Sequence, residues 1–326
     1  MRKVLQFVLS FSAILLSFNA VANTEAMQML ERMGVVAKQL NYDGIFSYQT
    51  GNKLQSIRII HRADDQGEVE RLISLNGVAR EVIRTNDMVT CIYPEGKAVQ
   101  ENHRPLGRGF PTDLLRRLSS AVAYYQISFG QQERVASHHT QEIVATPIDN
   151  YRYGYSLWVD KDNDLLLQSD LLDEMGNVLE TFSFSSVEMG LDIPEQSLKP
   201  EMQGNAMSWD RTEYGLSAAK PVSTQQSLWQ VTWLPEGFNL VTQQNRFKAR
   251  NGASIEQQVY SDGLSSVSIF FEKIRARHSH LHGSSKMGAA NAFGTIMNAH
   301  FITVVGEVPA RTVDKMGNSI RFNGAE

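Results

Sequence analysis

The sequence predicts an α+β protein, mostly antiparallel β, divided into two domains. Three observations carry that prediction. Turn signals recur about every ten residues between runs of alternating apolar and polar side chains, the pattern of an antiparallel meander. Two segments abandon that period for helical spacing. A polar, small-residue stretch, taken as a linker over residues 199–227, separates a long N-terminal meander from a shorter one. The chain has 326 residues, which at about 150 residues per domain agrees with two domains. It is 42% hydrophobic and 20% charged, with 23 glycines and 9 prolines. That composition excludes a disordered chain, a fibrous repeat and a multi-span membrane protein. A formal net charge of -4 gives no global electrostatic case for nucleic acid, which is not expected as a partner.

The chain opens on basic Arg2-Lys3, an apolar run from Val4 to Phe18, and Ala20-Val21-Ala22. This reads as a secretory signal peptide over residues 1–22, cleaved after Ala22. A membrane anchor is the competing reading, but the apolar run is shorter than the roughly 20 residues a spanning helix needs. The lone cysteine, Cys91, excludes an intramolecular disulfide and a multi-cysteine metal site. Its apolar neighbours mark it as a buried strand residue.

From Thr24 to Leu40, apolar Met27, Leu30, Met33, Val36, Ala37 and Leu40 recur at helical spacing among Glu25, Gln28, Glu31, Arg32 and Lys38. One face is therefore buried. A lipid-surface role would call for a lysine-rich polar face and bulky aromatics. The period then drops to two. Strands are expected over Gly44–Gln49, Leu54–Arg62, Glu68–Leu75, Arg80–Thr85, Met88–Tyr93 and Lys97–Glu101, with Asn76-Gly77 as a strong hairpin signal. So many consecutive strands curl into a strongly twisted or barrel-like sheet. Thr112 caps an expected helix through Leu114, Leu115, Leu118, Ala121 and Val122 toward Tyr125. Strands resume at Gln141–Pro147, Tyr153–Val159, Leu165–Leu172 and Val178–Ser186. The second domain is expected to contain strands at Gln230–Trp233, Phe238–Thr242, Ser254–Tyr260, Ser265–Glu272 and Phe301–Val305, and a short helix at Ala310–Met316.

Motifs for chemistry are weak. Asp160-x-Asp162-x-Asp164 imitates a calcium loop, but Leu165 and Leu171 stand where that loop needs glycine and glutamate. A solvated hairpin turn is the better reading. His278, His280 and His282 alternate as metal ligands on a strand would, yet their polar flanks read as a loop, and no metal is expected. Gly215-Leu216-Ser217-Ala218-Ala219 lacks the closing glycine of a nucleophile elbow. No dinucleotide fingerprint or phosphate loop occurs, no cofactor is expected, and the chain is read as a non-enzyme.

What remains is binding. A curled sheet with helices across its mouth can enclose an apolar cavity. Tyr93, Phe110, Leu115, Leu118, Tyr124 and Tyr125 are candidates to line it, although core packing explains each equally well. Arg104, Arg108, Arg116 and Arg117 are candidates for lipid phosphate, because a guanidinium donates two parallel hydrogen bonds. In the second domain Trp229, Trp233, Phe238 and Tyr260 crowd into little more than thirty residues. They suit either an interface or a core.

Asn41-Tyr42-Asp43-Gly44-Ile45-Phe46, Ile60-His61-Arg62, Ser74-Leu75-Asn76-Gly77-x-x-Arg80-Glu81-Val82, Tyr153-x-Tyr155-x-Leu157-Trp158-Val159-Asp160 and Asp170-Leu171-Leu172-Asp173 resemble the RseB/MucB family of sigma-E regulatory proteins. So do Trp233-Leu234-Pro235-x-Gly237-Phe238, Tyr260-Ser261-Asp262-Gly263-Leu264 and Val304-Val305-Gly306-Glu307-Val308-Pro309. The resemblance runs in order over essentially the whole mature chain. It implies an N-terminal unclosed β-barrel with helices, similar to LolA/LppX lipoprotein carriers, over 23–198, and a smaller C-terminal mixed α/β domain over 228–326. It also implies a periplasmic protein that binds the periplasmic region of the anti-sigma factor RseA (MucA in some genera). Binding shields that factor from the protease DegS until lipopolysaccharide or misplaced lipoprotein displaces the regulator. Trp229, Trp233, Leu234, Phe238, Tyr260, Asp262 and Glu307 are the expected partner-binding residues. Homo-oligomerisation is left open. The rival readings are a periplasmic lipid or lipoprotein carrier, suggested by the first domain alone, and a periplasmic hydrolase.

Overall fold

The structure, a computed structural model, describes residues 24–86, 88–94, 114, 117–118, 120–210, 227–247, 254–274 and 282–324. Residues 24–39 form helix α1. Ala26, Met29, Leu30, Met33 and Ala37 are buried at the spacing of one helical face. Exposed Arg32 ties that helix to the β-structure by donating from Nε to Asp164 Oδ2 at 2.7 Å.

Eleven strands follow in one antiparallel sheet. They are β1 (Tyr42–Thr50), β2 (Lys53–Asp64), β3 (Gly67–Ser74), β4 (Glu81–Thr85), β5 (Met88–Pro94), β6 (Tyr125–Val135), β7 (His138–Pro147), β8 (Gly154–Asp160), β9 (Leu166–Leu172), β10 (Val178–Met189) and β11 (Gly204–Asp210). Their order is β11-β5-β4-β3-β2-β1-β10-β9-β8-β7-β6, so the sheet ends on β11 and β6 and is not a closed barrel. Alternation works as the sequence implies: Tyr42, Gly44 and Phe46 of β1 face inward beside His61, Ile59 and Ile57 of β2. The Asp160–Asp164 turn is an Asx turn. Asp160 Oδ1 accepts from the backbone N–H of Asp162 at 2.8 Å and of Asn163 at 3.1 Å, which is the structural use of those carboxylates.

Three differences from the sequence reading stand out. Tyr125–Val135, where the sequence reading ends a helix near Tyr125 and places no strand before Gln141, is edge strand β6; the helical residues Leu114, Arg117, Leu118, Ser120 and Ala121 (α2) give way to a single 3₁₀ turn at Val122–Tyr124. Gly204–Asp210, read as part of the linker, pairs with β5 as strand β11, because a β-ladder forms through backbone groups whatever the side chains. The second domain has more strands than expected. Residues 1–23, 95–113, 211–226 and 275–281 lie outside the described residues, and with them the signal peptide, the expected strand at Lys97–Glu101, and His278 and His280.

Among the described residues, buried side chains form two large clusters and one small one in the first domain. One centres on β1–β5 and β10, with Phe46, Ile59, Leu72, Cys91 and Phe184. The other lies under α1 and α2 and joins Met33, Leu118, Ile143, Leu157 and Leu166. A short helix, α3 (Glu195–Leu198), covers the outer side of the sheet near Ile60.

The second domain is a six-stranded sheet in the order β13-β14-β15-β18-β17-β16. Its strands are β13 (Asn239–Phe247), β14 (Ser254–Ser261), β15 (Ser266–Lys273), β16 (Gly283–Met287), β17 (Ala290–Met297) and β18 (His300–Gly306). A small ladder of β12 (Trp229–Val231) and β19 (Ile320–Phe322), and helix α4 (Ala310–Asn318), complete it. All its pairings are antiparallel, so the helix alone supplies the mixed character. Val313 and Met316 of α4 pack on Val267, Ile269, Ile302 and Val304.

Candidate functional site: the junction between the domains

The loop between β7 and β8 carries Asp149, Tyr151, Arg152 and Tyr153, and each of the four engages a partner. Arg152 is 1% exposed. Its Nε donates to Asp262 Oδ2 of the second domain at 2.7 Å. Its Nη1 pairs with Asp149, and its Nη2 donates to the Glu236 carbonyl of the second domain. The guanidinium lies between two rings, with Cζ 4.5 Å from the Tyr124 centroid and 5.3 Å from that of Phe238. Burial disfavours the charge, but the Asp262 and Asp149 carboxylates outweigh it and raise the Arg152 pKa. Asp262 is itself preorganised: its Oδ1 accepts the N–H groups of Leu264 at 2.9 Å and Ser265 at 2.7 Å.

The Asp262–Leu264 turn enters the first domain. Leu264 is 1% exposed and belongs to the cluster under α1 and α2. Arg117 of α2 donates to the Leu264 carbonyl. A Cβ on Gly263 would stand 2.3 Å from Ser120 Oγ, so only glycine permits this approach. Nearby, the Tyr153 hydroxyl donates to the Ala289 carbonyl at 3.1 Å and accepts from Asn291 Nδ2 at 2.9 Å. Burial pushes the Tyr153 pKa up to about 12. At the rim, Tyr151 packs edge-on to Trp233 with centroids 4.8 Å apart. Lys315 Nζ stands 4.1 Å from the Trp233 ring and donates to the Tyr151 hydroxyl at 2.7 Å.

This geometry redistributes the residues expected from sequence. Trp229, Phe238 and Tyr260 are buried core residues; Trp229 stacks on Phe271 with centroids 4.8 Å apart. Their rings face the interior in this arrangement. Asp262 is committed to Arg152. Trp233, Leu234 and Glu307 remain partly exposed. Of the cavity candidates, Tyr93, Leu118 and Tyr125 are buried in the first domain's clusters and Tyr124 covers Arg152. Phe110, Leu115, Arg104, Arg108 and Arg116 lie outside the described residues. Arg117 donates from Nη2 to the second domain's backbone, at the Leu264 carbonyl. Sequence reasoning missed Arg152, Asn291 and Lys315. The available signal was a lone arginine between tyrosines in a short inter-strand loop.

The fold and junction define a two-domain β-sheet protein whose domains are locked by a buried charge and by an inserted loop. The chain belongs to the MucB/RseB family: the MucB/RseB N-terminal domain model matches residues 25–202 and the MucB/RseB C-terminal domain model residues 223–321. It is 28% identical to the sigma factor AlgU regulatory protein MucB of Pseudomonas aeruginosa over 95% of each chain. It is 26% identical to the sigma-E factor regulatory protein RseB of Escherichia coli over 99% of this chain and 100% of the relative. The structure of a Pseudomonas aeruginosa MucA/MucB complex matches with a TM-score of 0.72 at 26% identity, covering 92% of this chain and all of that one. A crystal structure of MucB matches with a TM-score of 0.57 at 25% identity, covering 92% of this chain and 98% of that one. Among the described residues, no helix is long and apolar enough to cross a membrane.

Proposed function

We propose that this protein is a periplasmic negative regulator of a sigma-E-type envelope stress response. It binds the periplasmic region of an RseA/MucA-type anti-sigma factor and shields it from proteolysis. The observation that carries this reading is the family match through both domains, together with a relative solved in complex with MucA. A partner segment ordered by docking is withdrawn from a protease that needs extended chain.

The rim of the junction is the favoured contact, because Trp233, Leu234 and Glu307 of the second domain stay partly exposed and Trp233 packs on Tyr151 of the first. Lipopolysaccharide or lipoprotein acyl chains would enter under α1 and α2, near Leu118 and Tyr125, and weaken partner binding. By reciprocity the partner then weakens lipid binding equally. A pure carrier has no use for a second domain locked to its sheet by Arg152 and Leu264. The protein is read as a non-enzyme, with domains near 23–198 and 228–326.

The test is calorimetric titration of Asn23–Glu326 with the periplasmic segment of the cognate anti-sigma factor, with and without lipopolysaccharide. Micromolar or tighter binding that lipopolysaccharide abolishes supports the regulator and its sensing role. Binding that lipopolysaccharide leaves unchanged discards the switch. Absence of binding, with lipid still retained, promotes the carrier.

A further inference from the structure

We propose that Arg152 is a positioning residue for partner binding: it holds the second domain on the first in the arrangement that the anti-sigma segment recognises. The inference rests on the partner reading above and names the device that sets it.

The locking contacts converge on one turn. Asp262 meets Arg152, Gly263 fits against Ser120, and Leu264 is buried in the first domain's core under α2. Helix α2 therefore has two loads. Leu114, Leu118 and Ala121 pack into the first-domain interior, while Arg117 and Ser120 face the inserted turn. Arg152 closes the ring by joining Asp149, Asp262 and the Glu236 carbonyl. Without it, the buried Asp262 carboxylate would lie with no cation near the partly exposed Asp149, an arrangement that favours separation of the domains. The outer contact between the domains is softer: Glu174–Arg311 is an exposed pair at 3.0 Å, which screening leaves weak. This chain also superposes better on MucB with MucA, at a TM-score of 0.72, than on MucB alone, at 0.57, with nearly equal identity.

The test separates positioning from direct contact. Glu174 and Arg311 are replaced by cysteine in the full mature chain. Cys91 does not compete, because it is buried and burial raises its thiol pKa. Spin labels on the new thiols report the distance between the domains, and a short bis-maleimide ties them together. Arg152→Met is expected to broaden the distance distribution and to weaken binding of the anti-sigma segment by about tenfold or more. Tying the domains is expected to restore affinity to within about threefold of the tied Arg152 protein. Arg152→Lys, which keeps a cation but not the fork, should fall between and guards against misfolding of the methionine variant.

An unchanged distance distribution in Arg152→Met overturns the lock. A broadened distribution whose affinity the tie does not restore overturns positioning in favour of direct contact. Should the unsubstituted chain fail to bind the segment, the partner reading falls, and the distance measurement still decides the lock.

Discussion

Arg71 Nη2 donates to Glu81 Oε1 at 3.2 Å, and both side chains are buried although they lie on the outer side of the first sheet. The cover comes from far along the chain. Arg71 also donates to the Ser197 carbonyl at 3.0 Å, and Glu81 accepts the backbone N–H groups of Glu201 and Met202, both at 3.1 Å. This pair fastens the segment that carries α3 into β11.

Glu81→Ala should therefore be costly. Removing one partner of a buried, hydrogen-bonded ion pair costs about 3–5 kcal/mol, and here it leaves the buried Arg71 only the exposed Glu201 carboxylate, at 3.3 Å. Denaturant unfolding measures it. Arg71→Met/Glu81→Leu should recover most of the loss; a double variant as unstable as Glu81→Ala would show that the backbone contacts to Glu81 dominate.

Leu264 belongs to the second domain by sequence and to the first by packing. Leu264→Ala should cost about 2–5 kcal/mol, the range for a buried leucine. The loss should appear in first-domain probes such as Trp158. A change confined to second-domain signals would mean that the insertion adds nothing to the first core.

Gly237 adopts φ +82, and a Cβ there would meet the Tyr124 ring at 2.2 Å. Gly237→Ala should lose about 1–3 kcal/mol through backbone strain and displacement of Tyr124 from Arg152. Tyr124→Ala in the same background should return the steric part. A melting temperature that the second change leaves unmoved would assign the whole cost to φ.

His61 is buried, stacks on Tyr42 with centroids 4.9 Å apart, and has its Nδ1 2.8 Å from the Leu40 carbonyl. Burial opposes its charge, yet Glu68, Glu70 and that carbonyl raise its pKa above the ordinary value. A raised folded-state value means that protonation favours the fold. The contribution is complete below the unfolded value, about 6.5, and is lost as pH rises through the higher folded value. The unfolding free energy of the parent relative to His61→Asn should thus fall as pH rises above about 6.5. A flat difference would show that folding leaves the His61 pKa unchanged, and a difference that rises with pH would show that His61 stays neutral in the fold.

Much of the fold was legible because it is local. Alternation in Tyr42–Phe46 and Ile57–Ile59, the Asn76-Gly77 signal and the helical spacing of Leu30, Met33 and Ala37 each follow from a short-range period. β6 was missed because its alternation is confined to Tyr125–Phe129, directly after the helical spacing, and Gln131, Gln132, Glu133 and Arg134 beyond it are polar and exposed. β11 was missed because its described side chains, from Gly204 to Ser208, are exposed. The candidate site was read in part: the Tyr260–Leu264 and Trp233–Phe238 motifs do sit at the junction, but most of their aromatic rings face inward.

The sequence by itself determined the antiparallel meander, the helices, the two-domain division and, through motif order, the family. Periodicity and turn chemistry act between neighbours, so they survive in one dimension. Only the tertiary structure decided that Arg152 meets Asp262, 110 residues away, and that Leu264 completes the other domain's core. Such pairs have no period. Their energy comes from desolvating a charge and a side chain together, which happens only once the two sheets have come into contact.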